Sequence, residues 1–136
     1  MRQFESGATR NKGDHKYDYT GFESPYADML YGQYMHKHRV QADGKLRDAD
    51  NWWKGIPDHE CIKSMKRHAK AVNAIFKGFT VLNPDTGEED SFIDAIAGVR
   101  FACDCLLHNY GKENDLPICF GDLDKGDTNE ERPRLI

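Results

Sequence analysis

The sequence lacks any long hydrophobic run. Of its 136 residues 38% are hydrophobic, and none of them form the stretch of about 18 apolar residues that a membrane helix needs, so no membrane partner is expected. The opening residues MRQFESGATRNK contain no apolar segment, and a secretory signal is not predicted. Four cysteines without such a signal favour a reducing cytoplasm over a disulfide framework.

An excess of positive charge is also missing. Lys and Arg total 19 against 23 Asp and Glu, giving a net charge of −4 with neutral histidines. Non-specific duplex binding needs a basic surface, so no nucleic-acid partner is expected. The sequence contains no GxxxxGK[ST], GxGxxG, GxSxG or HExxH motif. P-loop, Rossmann and serine-hydrolase chemistry are therefore unsupported.

Three segments are predicted from the distribution of polar residues and glycines. Residues 1–23 are polar without periodicity and are interpreted as an extended N-terminal arm, 24–111 as an all-α domain, and 112–136 as a polar C-terminal tail that is disordered or tethered from Leu123 onward. No useful length of chain alternates with period two, the pattern of a half-buried strand. The predicted fold class is therefore all-α.

Three helices are predicted within 24–111. Ser24 can cap the first helix, with Pro25 at its first position. Asp58 is expected to cap the second helix, and Gly78 to end it. The third helix follows the turn NPDTGEED and ends at Gly111. The apolar stripes of the second and third helices are Ile62, Met65, Ala69, Val72, Phe76 and Phe79, and Phe92, Ile96, Val99, Cys103 and Leu106.

Asp90 and Asp94 lie four residues apart at the start of the third helix and share one face. Two carboxylates on one turn can hold a hard divalent cation, which takes oxygen ligands. The alternative is that acidic residues favour any helix N-terminus because of the helix dipole. That alternative explains Asp90 better than Asp94, which sits a turn further in, among apolar residues.

Two further groups are candidates for binding or chemistry. Arg67 and His68 lie in the middle of the second helix, where a histidine beside an apolar stripe is commonly a hydrogen-bonded boundary residue. The loop around Asn51, Trp52 and Lys54 combines indoles, an amide and an ammonium group. An indole can stack on a base, an amide can read a base edge, and a lysine can neutralise a phosphate. The alternative is that the tryptophans anchor the loop on the core.

Several strings in the sequence resemble one phage family. They are SGATR at 6–10, KYDYTGFESP at 16–25, YGQYMHKHRVQADGKLRDADNWWKGIP at 31–57, KRH at 66–68 and DAIAGVRFACDCLLH in the last helix. In this order they resemble the phage dATP/dGTP diphosphohydrolases, MazZ-like proteins related to the all-α MazG nucleotide pyrophosphohydrolases. The resemblance covers roughly residues 6–110.

The resemblance implies a MazG-like helical domain assembled as a dimer or tetramer in the host cell cytoplasm. It implies hydrolysis of a purine deoxynucleoside triphosphate, dGTP or dATP, to the monophosphate and pyrophosphate with Mg²⁺ or Mn²⁺. The product dGMP would supply phage synthesis of 2-aminoadenine nucleotides. The alternative is a non-catalytic phage accessory protein that binds a nucleotide or another protein.

MazG-type enzymes hold metal with E-x-x-E on one helix and E-x-x-D at the start of the next. Asp94 matches the last position of the second motif, but Ser91 stands three residues earlier and the preceding helix has no E-x-x-E. The resemblance implies Asp94 as a metal ligand, and Asp90, which shares its helix face, is the second predicted ligand. Glu60, His68 or an acid from another subunit would complete the set.

The remaining roles follow from what triphosphate hydrolysis requires. Attack by water at the α-phosphorus needs an activated nucleophile and neutralisation of the phosphate charge. We assign catalysis to Asp94 and His68. The expected cations are Lys54, Arg67, Arg10 and Lys16. Asn51 and Trp52 are the expected contacts to the base.

Overall fold

The structure is a computed structural model that describes residues 2–122. In this part of the chain the fold is mainly α-helical, with one small sheet. The chain divides into two units, one formed by the N-terminal residues together with the segment after 113, and one spanning Ser24–Glu113. Residues 123–136, which include the predicted disordered tail, lie outside the described residues. None of the described helices is both long and apolar enough to cross a membrane.

The first unit has local structure that residue periodicity did not predict. Strands β1 (Arg2–Gln3) and β2 (Thr9–Arg10) pair antiparallel, and helix α1 spans Tyr19–Phe22. The hydroxyl of Tyr17 donates to Asp122 at 2.7 Å. Strands of two residues are too short to produce a visible alternation, so residues predicted to be an extended arm instead contain a hairpin and a helical turn.

The second unit contains three longer helices. They are α2 (Pro25–Lys37), α3 (Asp58–Phe76) and α4 (Phe92–Glu113), with a 3₁₀ turn at Asn51–Lys54 before α3. The start of α2 is confirmed, because the Ser24 side chain accepts from the amide of Ala27 and Pro25 is the first helical residue. Gly78 follows α3 with a φ of 93°, as a left-handed helix-ending residue should.

The predicted cap of α3 is wrong. Pro57 occupies the capping position without a side-chain hydrogen bond, and Asp58 is already helical. The carboxylate of Asp58 instead accepts from the side-chain amide of Asn109 on α4, at 2.8 Å. A contact between helices, which local sequence does not reveal, therefore determines the role of Asp58.

Helices α3 and α4 pack antiparallel. Asn109 contacts Asp58, Cys103 contacts Met65, and Gly98 faces His68, so the partners run in opposite order along the two helices. The buried residues are small ones: Cys61 and Ala71 on α3, and Ala95, Ala97, Gly98, Ala102 and Cys105 on α4. Small residues allow two helix backbones to approach closely.

The predicted apolar stripes therefore coincide only in part with the buried faces. Met65 and Cys103, which belong to the stripes, meet between the two helices. On α3, Phe76 is 78% exposed and Ile62 is 40% exposed, and Ile96 on α4 is 43% exposed. Periodicity identified the helices, but the small residues between them were not counted as core. Because the large side chains are displaced to the flanks, an apolar surface remains on the described part of the second unit.

Helix α2 covers another side of α4. The hydroxyl of Tyr31 donates to Asp104 at 3.1 Å, and the Arg100 guanidinium lies 4.0 Å from the centre of the Tyr31 ring. Nearer the C-terminal end of α2, Lys37 pairs with Asp94. These contacts bring the last turn of α2 to the N-terminal turn of α4, where the predicted metal ligands lie.

Candidate active site

Three adjoining cavities in the second unit share His38 as a wall residue. The first, which we call the histidine cavity, has a volume of about 570 Å³ and is lined by Tyr34, Arg67, His68, Asp90 and Phe101, among others. The carboxylate cavity, about 700 Å³, also contains Asp94 and Lys37. The arginine cavity, about 220 Å³, is lined by Arg39, Arg47, Asn51, Trp52 and Lys54.

The last turns of α2 place Tyr34 and His38 one helical turn apart on one face. Their rings are in contact, with centroids 4.2 Å apart. Burial, followed by the nearby carboxylates of Asp94 and Asp90, raises the pKa of Tyr34 to about 12. Its hydroxyl therefore stays protonated and can donate a hydrogen bond. Desolvation and the neighbouring Lys37 lower the pKa of His38, which favours a neutral imidazole.

His68 projects from α3 against Gly98 of α4. A Cβ at position 98 would lie 2.6 Å from Cγ of the imidazole, so the absence of a side chain there makes room for the ring. Burial lowers the pKa of His68, and the adjacent Arg67 lowers it further. The lowered pKa favours a neutral ring, which is able to accept a proton. The structure places both Arg67 and His68 in the wall of the histidine cavity.

Asp90 and Asp94 both line the carboxylate cavity, and Asp90 also lines the histidine cavity. Ser91 caps α4 by accepting from the amide of Asp94 at 3.0 Å, and the carboxylate of Asp94 pairs with Lys37. Half-buried Asp90 is held through its amide, which donates to the carbonyl of Val81. The position of Asp94 in the first turn of a capped helix explains its backbone hydrogen bond to Ser91. Its side chain is engaged separately, in the ion pair with Lys37.

Within one chain, two of the predicted metal ligands, Asp90 and Asp94, line the same cavity, and Glu60 does not. In the part of the chain that the structure describes, no three His, Cys, Asp or Glu side chains converge as a metal site. Mg²⁺ is often held by one or two carboxylates together with waters and substrate phosphates. Two carboxylates bordering one cavity match that donor chemistry.

Glu60 is not brought to Asp90 and Asp94. It lies in the first turn of α3, where it contacts His59 and Lys63 on the exposed surface. Because α3 and α4 are antiparallel, the start of α3 lies beside the end of α4, about a helix length from Asp94. Glu60 can therefore not complete this ligand pair within one protomer.

The Asn51–Lys54 turn has a mixed role. The Trp52 ring makes edge contacts with Phe101 and His108, and Trp53 stacks on His108 with centroids 5.4 Å apart. These contacts favour the anchoring interpretation of the indoles. Asn51 accepts from the Lys54 ammonium at 3.2 Å, and both residues line the arginine cavity. The polar side chains of the turn thus remain available at a cavity wall.

Arg10 and Lys16, the other predicted cations, belong to the first unit. Arg10 lies opposite Arg2 in the hairpin, and Lys16 forms a bridge with Gly121. Both side chains are exposed. Their predicted contact with a phosphate stays a prediction.

Sequence reasoning missed Tyr34, His38, Arg39, Arg47 and Lys70, which all line the cavities. A signal was present in the string YMHKHR, where Tyr34 and His38 are spaced by four residues and Arg39 follows. Such spacing indicates one helix face, but it gives no information about what that face meets. These residues become part of a site because the segment up to Gly55 and helix α4 form the other walls of the cavities.

Comparison with protein-family models, with curated proteins and with solved structures gives no match to this chain.

Proposed function

We propose that the protein hydrolyses a purine deoxynucleoside triphosphate, dGTP or dATP, to the monophosphate and pyrophosphate. The observation that carries the proposal is the meeting of the histidine and carboxylate cavities, which share Asp90 and together contain Arg67, His68 and Asp94. Their volumes lie in the range of about 300–1,000 Å³ typical of small-molecule sites. The resemblance of the sequence strings to MazZ-like and MazG-type enzymes supplies the reaction class.

The histidine cavity combines the surfaces that a nucleotide requires. Ala71, Ala74, Val81 and Phe101 provide apolar wall against which a base can lie, while Arg67 and Lys70 provide positive charge. A triphosphate carries about four negative charges, and fixed cations stabilise that charge in the transition state. Asn51 and Trp52 line the arginine cavity and not the histidine cavity, so their predicted contact with the base stays a prediction.

The proposed chemistry assigns proton transfer to His68. Its neutral imidazole can accept a proton from the attacking water as the new bond to the α-phosphorus forms and the bond to the bridging oxygen of pyrophosphate breaks. Asp90 and Asp94 would hold Mg²⁺ or Mn²⁺, which lowers the pKa of a bound water and neutralises phosphate charge. Lys37 would have to release Asp94 for that carboxylate to take part.

A second candidate is a non-catalytic nucleotide-binding phage accessory protein. The pairing of Asp94 with Lys37 favours it, because a carboxylate in an ion pair is not free to hold a metal. A binding protein would retain a nucleotide in the histidine cavity without turning it over. Analysis of the reaction products separates the two candidates.

The decisive experiment incubates purified protein with each deoxynucleoside triphosphate and Mg²⁺ or Mn²⁺, and separates the products by chromatography. We expect dGMP or dAMP and pyrophosphate in one step. The variant Asp94→Asn should lose activity and keep its helical content, because Asn retains the shape but removes the charge that holds a hard cation.

Three outcomes would contradict the proposal. Binding without products would favour the accessory protein, and dGDP as an intermediate would indicate a phosphatase. Full activity in Asp94→Asn would make this residue only a helix-start residue. Glu113→Gln serves as the control, since its carboxylate lies at the exposed end of α4 and lines none of the three cavities. We expect it to retain activity.

A further inference from the structure

Arg39 and Arg47 stand opposite each other on a small hairpin that follows α2. Val40 and Leu46 form an antiparallel bridge, and the amide of Arg47 donates to the carbonyl of Arg39 at 2.8 Å. The Nε of Arg39 donates in return to the carbonyl of Arg47, also at 2.8 Å. These contacts fix the two arginines as neighbours before any ligand arrives.

Like charges placed directly opposite each other on paired strands are destabilising. In the described part of the chain, Arg39, Arg47 and Lys54 take part in no ion pair. All three line the arginine cavity, where Asp48 is the carboxylate among the lining residues. Three cations against one carboxylate leave a net positive wall, which an anionic ligand would neutralise.

The size and position of the arginine cavity indicate which anion it suits. Its volume of about 220 Å³ is below the range of about 300–1,000 Å³ for sites that enclose a drug-sized molecule. Arg47 and His38 also line the carboxylate cavity that contains Asp90 and Asp94. A group held by the arginines can therefore be part of a larger ligand whose remainder lies among the carboxylates and in the histidine cavity.

We infer that Arg39, Arg47 and Lys54 form a subsite for the two terminal phosphates of the substrate, the group that leaves as pyrophosphate. This inference rests on the proposed function for the identity of the ligand. Arginine suits the task because its planar guanidinium can make two parallel hydrogen bonds to one phosphate. The sequence predicted Lys54 as a phosphate contact, but it did not predict Arg39 or Arg47.

The test measures binding of inorganic pyrophosphate to the full chain by titration calorimetry in metal-free buffer. We expect Arg47→Gln to weaken this binding by about tenfold or more, the effect of losing a hydrogen bond to a charged group. Because Gln keeps the backbone carbonyl that accepts from Arg39, the hairpin should remain folded. Lys54→Gln, in a different segment, should weaken binding as well. Circular dichroism of each variant checks the fold.

Lys66→Gln is the matched control, since it removes one positive charge from an exposed position on α3 that lines neither the arginine nor the carboxylate cavity. We expect it to change pyrophosphate binding by less than about twofold. Equal losses in Lys66→Gln and Arg47→Gln would overturn the subsite, because the effect would then reflect net charge. So would orthophosphate binding as tightly as pyrophosphate, or a single-stranded oligonucleotide binding more tightly than pyrophosphate through Arg47.

The subsite and the proposed function fail separately. If the parent hydrolyses dGTP but pyrophosphate binding does not depend on Arg47, the function stands and the subsite is overturned. If pyrophosphate binding depends on Arg47 but no triphosphate is hydrolysed, the anion subsite stands and the hydrolase proposal fails.

Discussion

The imidazole of His68 occupies the space that a side chain at position 98 would take. A Cβ there would lie 2.6 Å from Cγ of the ring, closer than side chains pack. We expect Gly98→Ala to destabilise the protein by about 1–2 kcal/mol, because overpacking costs roughly 1–3 kcal/mol and the better helix propensity of Ala returns up to about 1 kcal/mol. Denaturant unfolding measures the change.

Gly32→Ala is the matched control for Gly98→Ala. Gly32 lies inside α2, and a Cβ there would have no neighbour within 4 Å. The same substitution should therefore stabilise the protein by about 0.5–1 kcal/mol through propensity alone. If both variants were stabilised, the close packing of His68 on Gly98 would be wrong.

His68 also predicts a pH dependence of stability. Burial lowers the pKa of His68 in the folded state below the unfolded value of about 6.5. Below that pH the unfolded chain binds more protons than the folded chain, so the free energy of unfolding decreases as the pH is lowered. The contribution of the neutral His68 ring to stability is fully present above about pH 6.5 and is lost as the pH falls towards the pKa of the folded state. Melting curves between about pH 7.5 and 5 test this.

His38, which also has a lowered pKa, contributes a loss of the same sign. The informative comparison is therefore between parent and His68→Gln, whose stability should fall less over the same pH range. His36→Gln, at an exposed position on α2, should follow the parent curve. Parallel curves for the parent and His68→Gln would show that this imidazole is not desolvated.

The 3₁₀ turn at Asn51–Lys54 attaches to α4 through its indoles. Phe101, which Trp52 contacts from one side, lines both the histidine and the carboxylate cavities. We expect Trp52→Ala to lower the free energy of unfolding by about 1.5–4.5 kcal/mol, since the edge contacts with Trp53, Phe101 and His108 are lost at about 0.5–1.5 kcal/mol each. Melting curves and the KM for dGTP, measured on the same variant, show whether Trp52 supports the cavity wall through Phe101 or contacts the base directly.

Trp53→Ala is the comparison for this element. Trp53 is 51% exposed, and it stacks on His108 without contacting Phe101 in the described structure. We expect a smaller loss of stability and an unchanged KM. A Trp52→Ala protein with the parent melting temperature and a raised KM would return Trp52 to the base-binding role and contradict anchoring.

At the level of elements, the sequence predicts the helix ends that depend on contacts between residues only a few positions apart. The start of α2 needs only Ser24 and the amide of Ala27, and the end of α3 needs only the left-handed conformation of Gly78. Asp58 was misassigned because its partner, Asn109, lies 51 residues away. The hairpin of the first unit was missed because two-residue strands leave no periodic signal.

At the scale of the whole molecule, the described part of the second unit has an exposed apolar surface. Phe76, Ile93 and Ile96 are all more than one third exposed. We expect a homo-oligomer, because symmetric association is the usual way for a small domain to bury such a surface. Light scattering at micromolar concentration should give a dimeric or tetrameric mass, and the mass of one chain would contradict the expectation.

A charged substitution locates the interface. Ile96→Lys should shift the mass towards the monomer, since an unpaired charge in an apolar contact costs several kcal/mol. Gln33→Lys places the same charge on an exposed position of α2 and should leave the mass unchanged. If both variants kept the oligomeric mass, the interface would lie away from Ile96.

For this protein, the sequence by itself determined that the chain is mainly helical. It also predicted Arg67, His68, Asp90 and Asp94 as site residues, and the structure places them in the walls of two adjoining cavities. Helix identity, capping and shared faces depend on neighbours three or four residues away, which a sequence displays directly. The tertiary structure decided which residues are core, because helix approach depends on the volumes of facing side chains such as His68 and Gly98. It also decided that Lys37 meets Asp94 across 57 residues and that Arg39 faces Arg47 across a hairpin. Electrostatic partners are set by distance in space, and spacing along the chain carries little information about that distance.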